Sequence, residues 1–253
     1  MLVKELVHMI DVVAPFSTAE EYDNVGLLVG DENAQITGIM LALDVTEAVL
    51  MEMRELGLNV LITHHPLMFS PINRLLETEH EGGLIAQILR QNAHLIVAHT
   101  NLDIAAGGTN DALVQLFGLQ NPCGKGYLRV GKLALPMAAD ALQAFLKEKL
   151  NAPVMLMGDA KKEIHTLGLC SGGASDEWAA AYAAGADAFL TGEVKHYHAL
   201  EATARGMVLF QGGHFATENP GMAFLALALQ NALDKVKCNV AVYRTKSESY
   251  PVQ

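Results

Sequence analysis

Short apolar runs alternate with amphipathic stretches along the whole chain, and this alternation limits the fold more than any other feature. Strands are expected over Ile36–Val45, Asn59–Thr63, Leu95–His99, Leu128–Leu133, Val154–Met157, Thr166–Cys170, Ala188–Leu190, Met207–Gln211 and Val240–Arg244. Helices are expected over Thr46–Leu56, Leu84–Gln91, Asn110–Phe117, Ala138–Leu150, Asp176–Ala184 and His196–Arg205. Strands that alternate with single helices argue for an α/β protein with largely parallel sheets. The 253 residues, 51% of them hydrophobic, suffice to bury one large core or two modest ones. Asn121-Pro-Cys-Gly-Lys-Gly126 breaks the periodicity between two such blocks. The last strand, which follows a helix over roughly Gly221–Leu233, is expected to return to the first block. The organisation expected is therefore two interlinked α/β domains, 1–125 with 236–253 and 126–235.

Charge and cysteine content narrow the function classes. With 17 Lys+Arg against 28 Asp+Glu, the net charge of −11 repels phosphate backbones, which argues against general nucleic-acid binding. No apolar run approaches the ~18 residues needed to span a bilayer. Lys4, Glu5 and Asp11 interrupt the stretch where a signal peptide needs continuous apolar residues, so a cytoplasmic location is expected. Cys123, Cys170 and Cys238 form no CxxC pair and read as buried, reduced thiols.

The histidines carry the chemistry. In open α/β sheets, ligands bind beyond the carboxyl ends of the strands. Leu61-Ile-Thr-His64-His65-Pro66 is an apolar strand closing on two histidines. Adjacent strand side chains point to opposite faces, so this pair suits two neighbouring metals better than one, although a polar strand end reads equally well. In His94-Leu-Ile-Val-Ala-His99-Thr-Asn-Leu-Asp103, five residues at ~3.3 Å each put His94 at the wrong end of the strand. His94 reads as a structural or a surface histidine, whereas His99 and Asp103 belong to the ligand-binding edge. His214 and Glu218 follow a strand and Gly212-Gly213 at i, i+4. They share one face if the helix has begun by His214, and lie in the lead-in loop if Asn219 caps and Pro220 opens the helix. The set of imidazoles and carboxylates, free of thiolates, suits zinc, ferrous iron, manganese or nickel. Six candidate ligands exceed what one catalytic zinc takes, which points to a dinuclear centre of two divalent ions per chain.

Weaker signals remain open. Cys170-Ser-Gly-Gly-Ala-Ser175-Asp176 reads as an anion cradle or as a tight turn capped by Ser175. Glu193 and His196 read as a proton donor and acceptor pair or as a solvated helix start, and His198 as solvated. Tyr22, Asp23 and Asn24 are turn formers or a substrate-facing wall.

Tyr22-Asp-Asn-Val-Gly-Leu-Leu, Ile62-Thr-His-His-Pro, Ala98-His-Thr-Asn-Leu-Asp-Ile-Ala-Ala-Gly-Gly-Thr-Asn-Asp, Thr191-Gly-Glu-Val-Lys-His and Gly213-His-Phe-Ala-Thr-Glu occur in this order. Together they resemble the NGG-interacting-factor-like family, also called GTP cyclohydrolase I type 2 homologues, over essentially the full length. The resemblance implies a two-domain α/β fold, a dinuclear metal site in the cleft between the domains, and ring-shaped homo-oligomers such as hexamers. It matches His64 and His65 to the family's paired histidines, Asp103 to its loop aspartate and His214 with Glu218 to its C-terminal pair. His99 matches a further histidine in or beside the metal shell. It also favours a cleft role for Glu193 and His196 as catalytic groups. The family label implies ring opening of GTP. The residues themselves lead to metal-dependent hydrolysis of a small molecule they do not identify, which the family label implies is nucleotide-like, with a non-catalytic metal carrier or regulatory protein as the alternative.

Overall fold

Strands buried on both faces exist only inside a covered sheet, and three of them organise the first part of the chain. The computed structural model describes residues 1–248. It opens with helix α1 (Val3–Val13), strands β1 (Gly26–Val29) and β2 (Ile39–Ala42), helix α2 (Glu47–Glu55) and strand β3 (Val60–Thr63). Helix α3 (His80–Arg90), strand β4 (His94–Val97) and a short helix α4 (Thr100–Ile104) follow. β2, β3 and β4 are parallel, with Ile39 beside Val60 and Val60 beside His94. β1 pairs with the outer edge of β4 in the antiparallel sense, and Val242–Arg244 pairs with β2 in the parallel sense. Alternate residues Met40, Ala42, Leu61, Leu95 and Val97 share a core with Val49, Leu50 and Met53 of α2 and Leu84, Ile85 and Ile88 of α3. Helix α2 begins where Thr46 Oγ1 accepts the Val49 N–H at 3.2 Å, satisfying a donor that the helix itself leaves unpaired.

The next elements are α5 (Thr109–Phe117), β5 (Gln120–Cys123), β6 (Arg129–Ala138), α6 (Ala139–Leu150), β7 (Met155–Met157) and β8 (Glu163–Leu169). Then come α7 (Trp178–Ala183), β9 (Ala188–Thr191), α8 (His196–Ala204), β10 (Val208–Gln211) and α9 (His214–Lys235). The sheet order is β5-β6-β8-β9-β10-β7, and only β8, β9 and β10 are mutually parallel. The two-residue period separates the faces. Ala188 and Leu190 pack with Leu113 and Phe117 of α5 and Leu142 and Leu146 of α6, whereas Phe189 packs with Trp178 and Ala181 of α7 and Ala202 of α8. Gly168 lets α7 approach, since a Cβ there would lie 2.8 Å from Ala181 Cβ.

The final strand, β11, is Val242–Arg244. The chain groups into two compact units, Met1–Ala106 with the chain from Met222 onward, and Gly107–Gly221. The sequence places the cuts at 125/126 and 235/236 instead. Residues 121–123, the first half of the stretch read as a break, lie in β5, which pairs with β6, and the boundary between the units at Met222 falls inside α9. Residues 249–253 of the expected first domain lie outside the described residues.

Both sheets are α/β, but the second is mixed rather than largely parallel. The expected strand Ile36–Val45 shortens to β2, because Asn59 Oδ1 accepts the Thr37 N–H at 2.8 Å at one end and Thr46 starts a helix at the other. Only Cys170 is fully buried; Cys123 is exposed and Cys238 intermediate, and no disulfide occurs among the described residues. No helix among the described residues is long and apolar enough to cross a membrane.

His94 is structural and 5% exposed; its Nδ1 accepts the Asp31 N–H at 3.1 Å. Burial holds its imidazole below the ordinary 6.5, against the pull of Asp31. The folded state therefore binds fewer protons here than the unfolded chain. This stabilisation is complete above the unfolded value and is lost as pH falls below it. His94→Leu is expected to cost about 1–2 kcal/mol near pH 7.5, from the unmatched Asp31 N–H. It should also flatten the loss of stability as pH falls below 6.5. Urea unfolding of both proteins across that range checks this.

Candidate metal centre

β2, β3 and β4 end side by side, so the residues just past them emerge at one edge of the first unit. The ladder continues beyond β3, with His64 N–H bonded to Ala42 O at 3.3 Å and His65 N–H to Leu43 O at 2.9 Å. Thr63 Oγ1 then donates to His65 O at 2.9 Å, and Pro66 follows. The two imidazoles, expected to diverge, have ring centroids 5.1 Å apart, and the His99 ring lies 5.1 and 5.7 Å from them. One nitrogen from each of His64, His65 and His99 lies within 4.8 Å of the others. The polar loop expected after His99 is helix α4, which begins as Leu102 and Asp103 N–H groups bond His99 O. That turn brings Asp103 Oδ1 to 3.5 Å from His64 Nε2.

Each of these rings is held through Nδ1. His64 Nδ1 meets Ala98 O at 3.0 Å, His65 Nδ1 meets Asp44 Oδ1 at 2.8 Å, and His99 Nδ1 meets Asp23 Oδ1 at 2.9 Å. A carbonyl or carboxylate oxygen accepts only, so the proton of each neutral ring sits on Nδ1 and Nε2 presents its lone pair. Asp23 is braced in turn by the N–H and hydroxyl of Thr100. Burial raises the Asp23 pKa, but hydrogen bonds from Thr100 and His99 outweigh it and hold the group below the usual value. Burial, reinforced by His64, holds His99 below its usual value against the pull of Asp23. His99 is thus neutral at pH 7, the form in which imidazole binds metals.

The second unit builds a similar group. Helix α9 has already begun at His214, with Pro220 inside it, so the first of the two layouts read from sequence is the one adopted. His214 and Glu218 accordingly share a face, with Nε2 to Oε1 at 3.0 Å, and Glu218 is buried. Glu193, just past β9, accepts from His214 Nδ1 at 3.0 Å. His196 is exposed at the start of α8. His198, expected to be solvated, is buried, with its Nδ1 2.9 Å from Ser175 Oγ. Ser175 also accepts the Lys195 N–H at 3.3 Å.

In both units an imidazole Nε2 faces a carboxylate oxygen while Nδ1 is committed elsewhere. Lone pair and carboxylate repel unless a cation, proton or metal, lies between them. Donors of this kind, nitrogen and oxygen without thiolate, fit a divalent metal.

The sequence model of the Duf34/NIF3 (NGG1p interacting factor 3) family matches residues 1–251. The chain belongs to the Duf34/NIF3 family. A Clostridium acetobutylicum relative named GTP cyclohydrolase 1 type 2 homolog is 32% identical over 260 residues, covering 98% of this chain and 97% of the relative. The crystal structure of a Staphylococcus aureus hypothetical protein superposes with a TM-score of 0.95 at 29% identity, covering 100% of this chain and 99% of that one. Reduced HcgD from Methanocaldococcus jannaschii gives 0.83 at 28% identity, with 97% and 98% covered.

Sequence reasoning missed the supporting carboxylates in this family member. Asp44 lay inside what reads as a long strand, and Asp23 inside what reads as a turn or a substrate-facing wall. Their only sequence signal is an aspartate just past a strand or in a polar turn, which most such residues share. Gly172 was read as part of an anion cradle or tight turn. It has φ +64°, and a Cβ there would lie 2.3 Å from Glu218 Oε1 and 3.4 Å from His214 Nε2. The glycine therefore keeps the space in front of this pair open. Gly172→Ala is expected to destabilise the protein by about 1–3 kcal/mol through the left-handed backbone and the displaced Glu218. Thermal unfolding beside Gly185→Ala, which has φ +85° but nothing within 4 Å of the added Cβ, separates backbone strain from the clash.

Proposed function

We propose that the chain is a metal-dependent hydrolase of a small, nucleotide-like molecule, using two divalent ions held by His64, His65, His99, Asp103, His214 and Glu218. The observation that carries this reading is the trio of histidines at the ends of β3 and β4, with Nδ1 engaged and ligand nitrogens within 4.8 Å of one another. Zinc, ferrous iron, manganese and nickel all suit such donors. When bound, a pair of these ions supplies Lewis acidity, acidifying water and polarising the electrophilic oxygen of a substrate.

The protein's own groups do the rest. Asp23, Asp44 and Ala98 O fix the tautomers of His99, His65 and His64, which presents basic nitrogens without reorganisation. Glu193, with Oε1 on His214, is assigned to carry a proton on Oε2, and His196 to exchange it with solvent. The name of the relatives supports a GTP-related substrate. Self-association into a homo-oligomer is supported by exposed apolar residues at Phe69, Ile72, Leu75 and Leu76.

The expected result of elemental analysis is about two metals per chain, lost in His65→Ala/Asp103→Ala together with hydrolysis of phosphoesters, nucleotides or amides. Metal without turnover leaves a carrier or regulatory protein, in which the ligands remain and the catalytic assignment of Glu193 and His196 falls. Folded protein that refuses added metal overturns the whole reading.

A further inference from the structure

We infer that Glu248 is a positioning residue for His65, acting through Asp44, so that the segment after β11 is a working part of the histidine edge. The inference rests on the reading of His65 as a metal ligand. The Asp44 side chain is 51% exposed, although its carboxylate holds His65 Nδ1 at 2.8 Å. A side-chain contact so open to water contributes little by itself, so the backbone has to hold Asp44 in place. Asp44 lies two residues beyond the end of β2, and its N–H donates to Glu248 Oε1 at 2.7 Å across 204 residues of sequence. The Leu43 backbone bonds Glu248 as well.

Glu248 is itself delivered by a pinned segment. Thr245 N–H extends the β11 ladder to Leu41 O at 3.0 Å. Glu52 of α2 then gathers the next residues, accepting from Thr245 Oγ1 at 2.5 Å, Lys246 N at 3.0 Å and Ser247 N at 3.1 Å. These hydrogen bonds hold the Glu52 carboxyl below its usual value despite burial. The chain of contacts runs from Glu52 through residues 245–247 to Glu248, Asp44 and the His65 ring. Arg244, at the end of β11, draws the Glu248 carboxylate as well.

The test uses the full chain without metal at pH 8, where nitrogen-15 histidine spectra report which ring nitrogen carries the proton; His65→Ala assigns the resonance. The wild type should show the His65 proton on Nδ1. Glu248→Ala should mix the tautomers and weaken manganese(II) binding, measured by dialysis, about five-fold, the worth of one hydrogen bond. Glu248→Gln keeps the accepting oxygen and should restore both. Glu52→Ala should reproduce the Glu248→Ala effect, with the double variant no worse than either single one, because both act along one path. An unchanged His65 tautomer in Glu248→Ala overturns the inference, as does a glutamine variant no better than alanine. A wild type that binds no manganese defeats the metal reading instead. The tautomer comparison then decides the inference alone.

Discussion

The common register of β2, β3 and β4 is the constraint on which the first unit's chemistry depends. Because Ala42, Thr63 and Val97 lie side by side, the residues after them leave the sheet at one level. Hydrophobic burial of these strands sets that level, and a slip by one residue would turn the histidines to the opposite face. The rings can then be held by short hydrogen bonds to oxygens on neighbouring turns. A histidine edge assembled in this way is carried on the ends of buried, paired strands rather than on long loops.

Much of this was legible in the chain. His64-His65-Pro66 and His99 stood out because two apolar runs close on imidazoles at the strand ends where ligands bind, although each alone also reads as a polar strand end. His94 could be set aside from strand arithmetic. Tertiary facts were not legible. The five-residue helix at Thr100–Ile104 has almost no periodicity to reveal it, yet it sets the angle at which Asp103 faces His64. β5 carries Asn121 and Pro122, which argue for a turn by propensity, and pairing with β6 overrides them. Asp23, Asp44 and Glu193 act on rings 76, 21 and 21 residues away, a separation that local pattern does not reach.

An acidic chain of net charge −11 suits such an edge. Carboxylates behind the imidazoles raise their basicity and draw cations inward, and at this composition they are abundant. The donors and their supports are therefore drawn from one economical set of residue types, which is why the composition looks unremarkable although the placement is specific.

The late pairing of β11 has a consequence for how the protein is made. During synthesis β2 exists as an open sheet border until residues 242–244 emerge, by which time every residue of Gly107–Gly221 has been produced. An uncovered apolar border is a template for another chain. The nascent protein thus spends most of its time on the ribosome with its first sheet unfinished, and closing that border joins parts of the polypeptide about two hundred positions apart, a slow, high-contact-order step. Temperature and chaperone supply during that interval bear on how much of it is recovered intact.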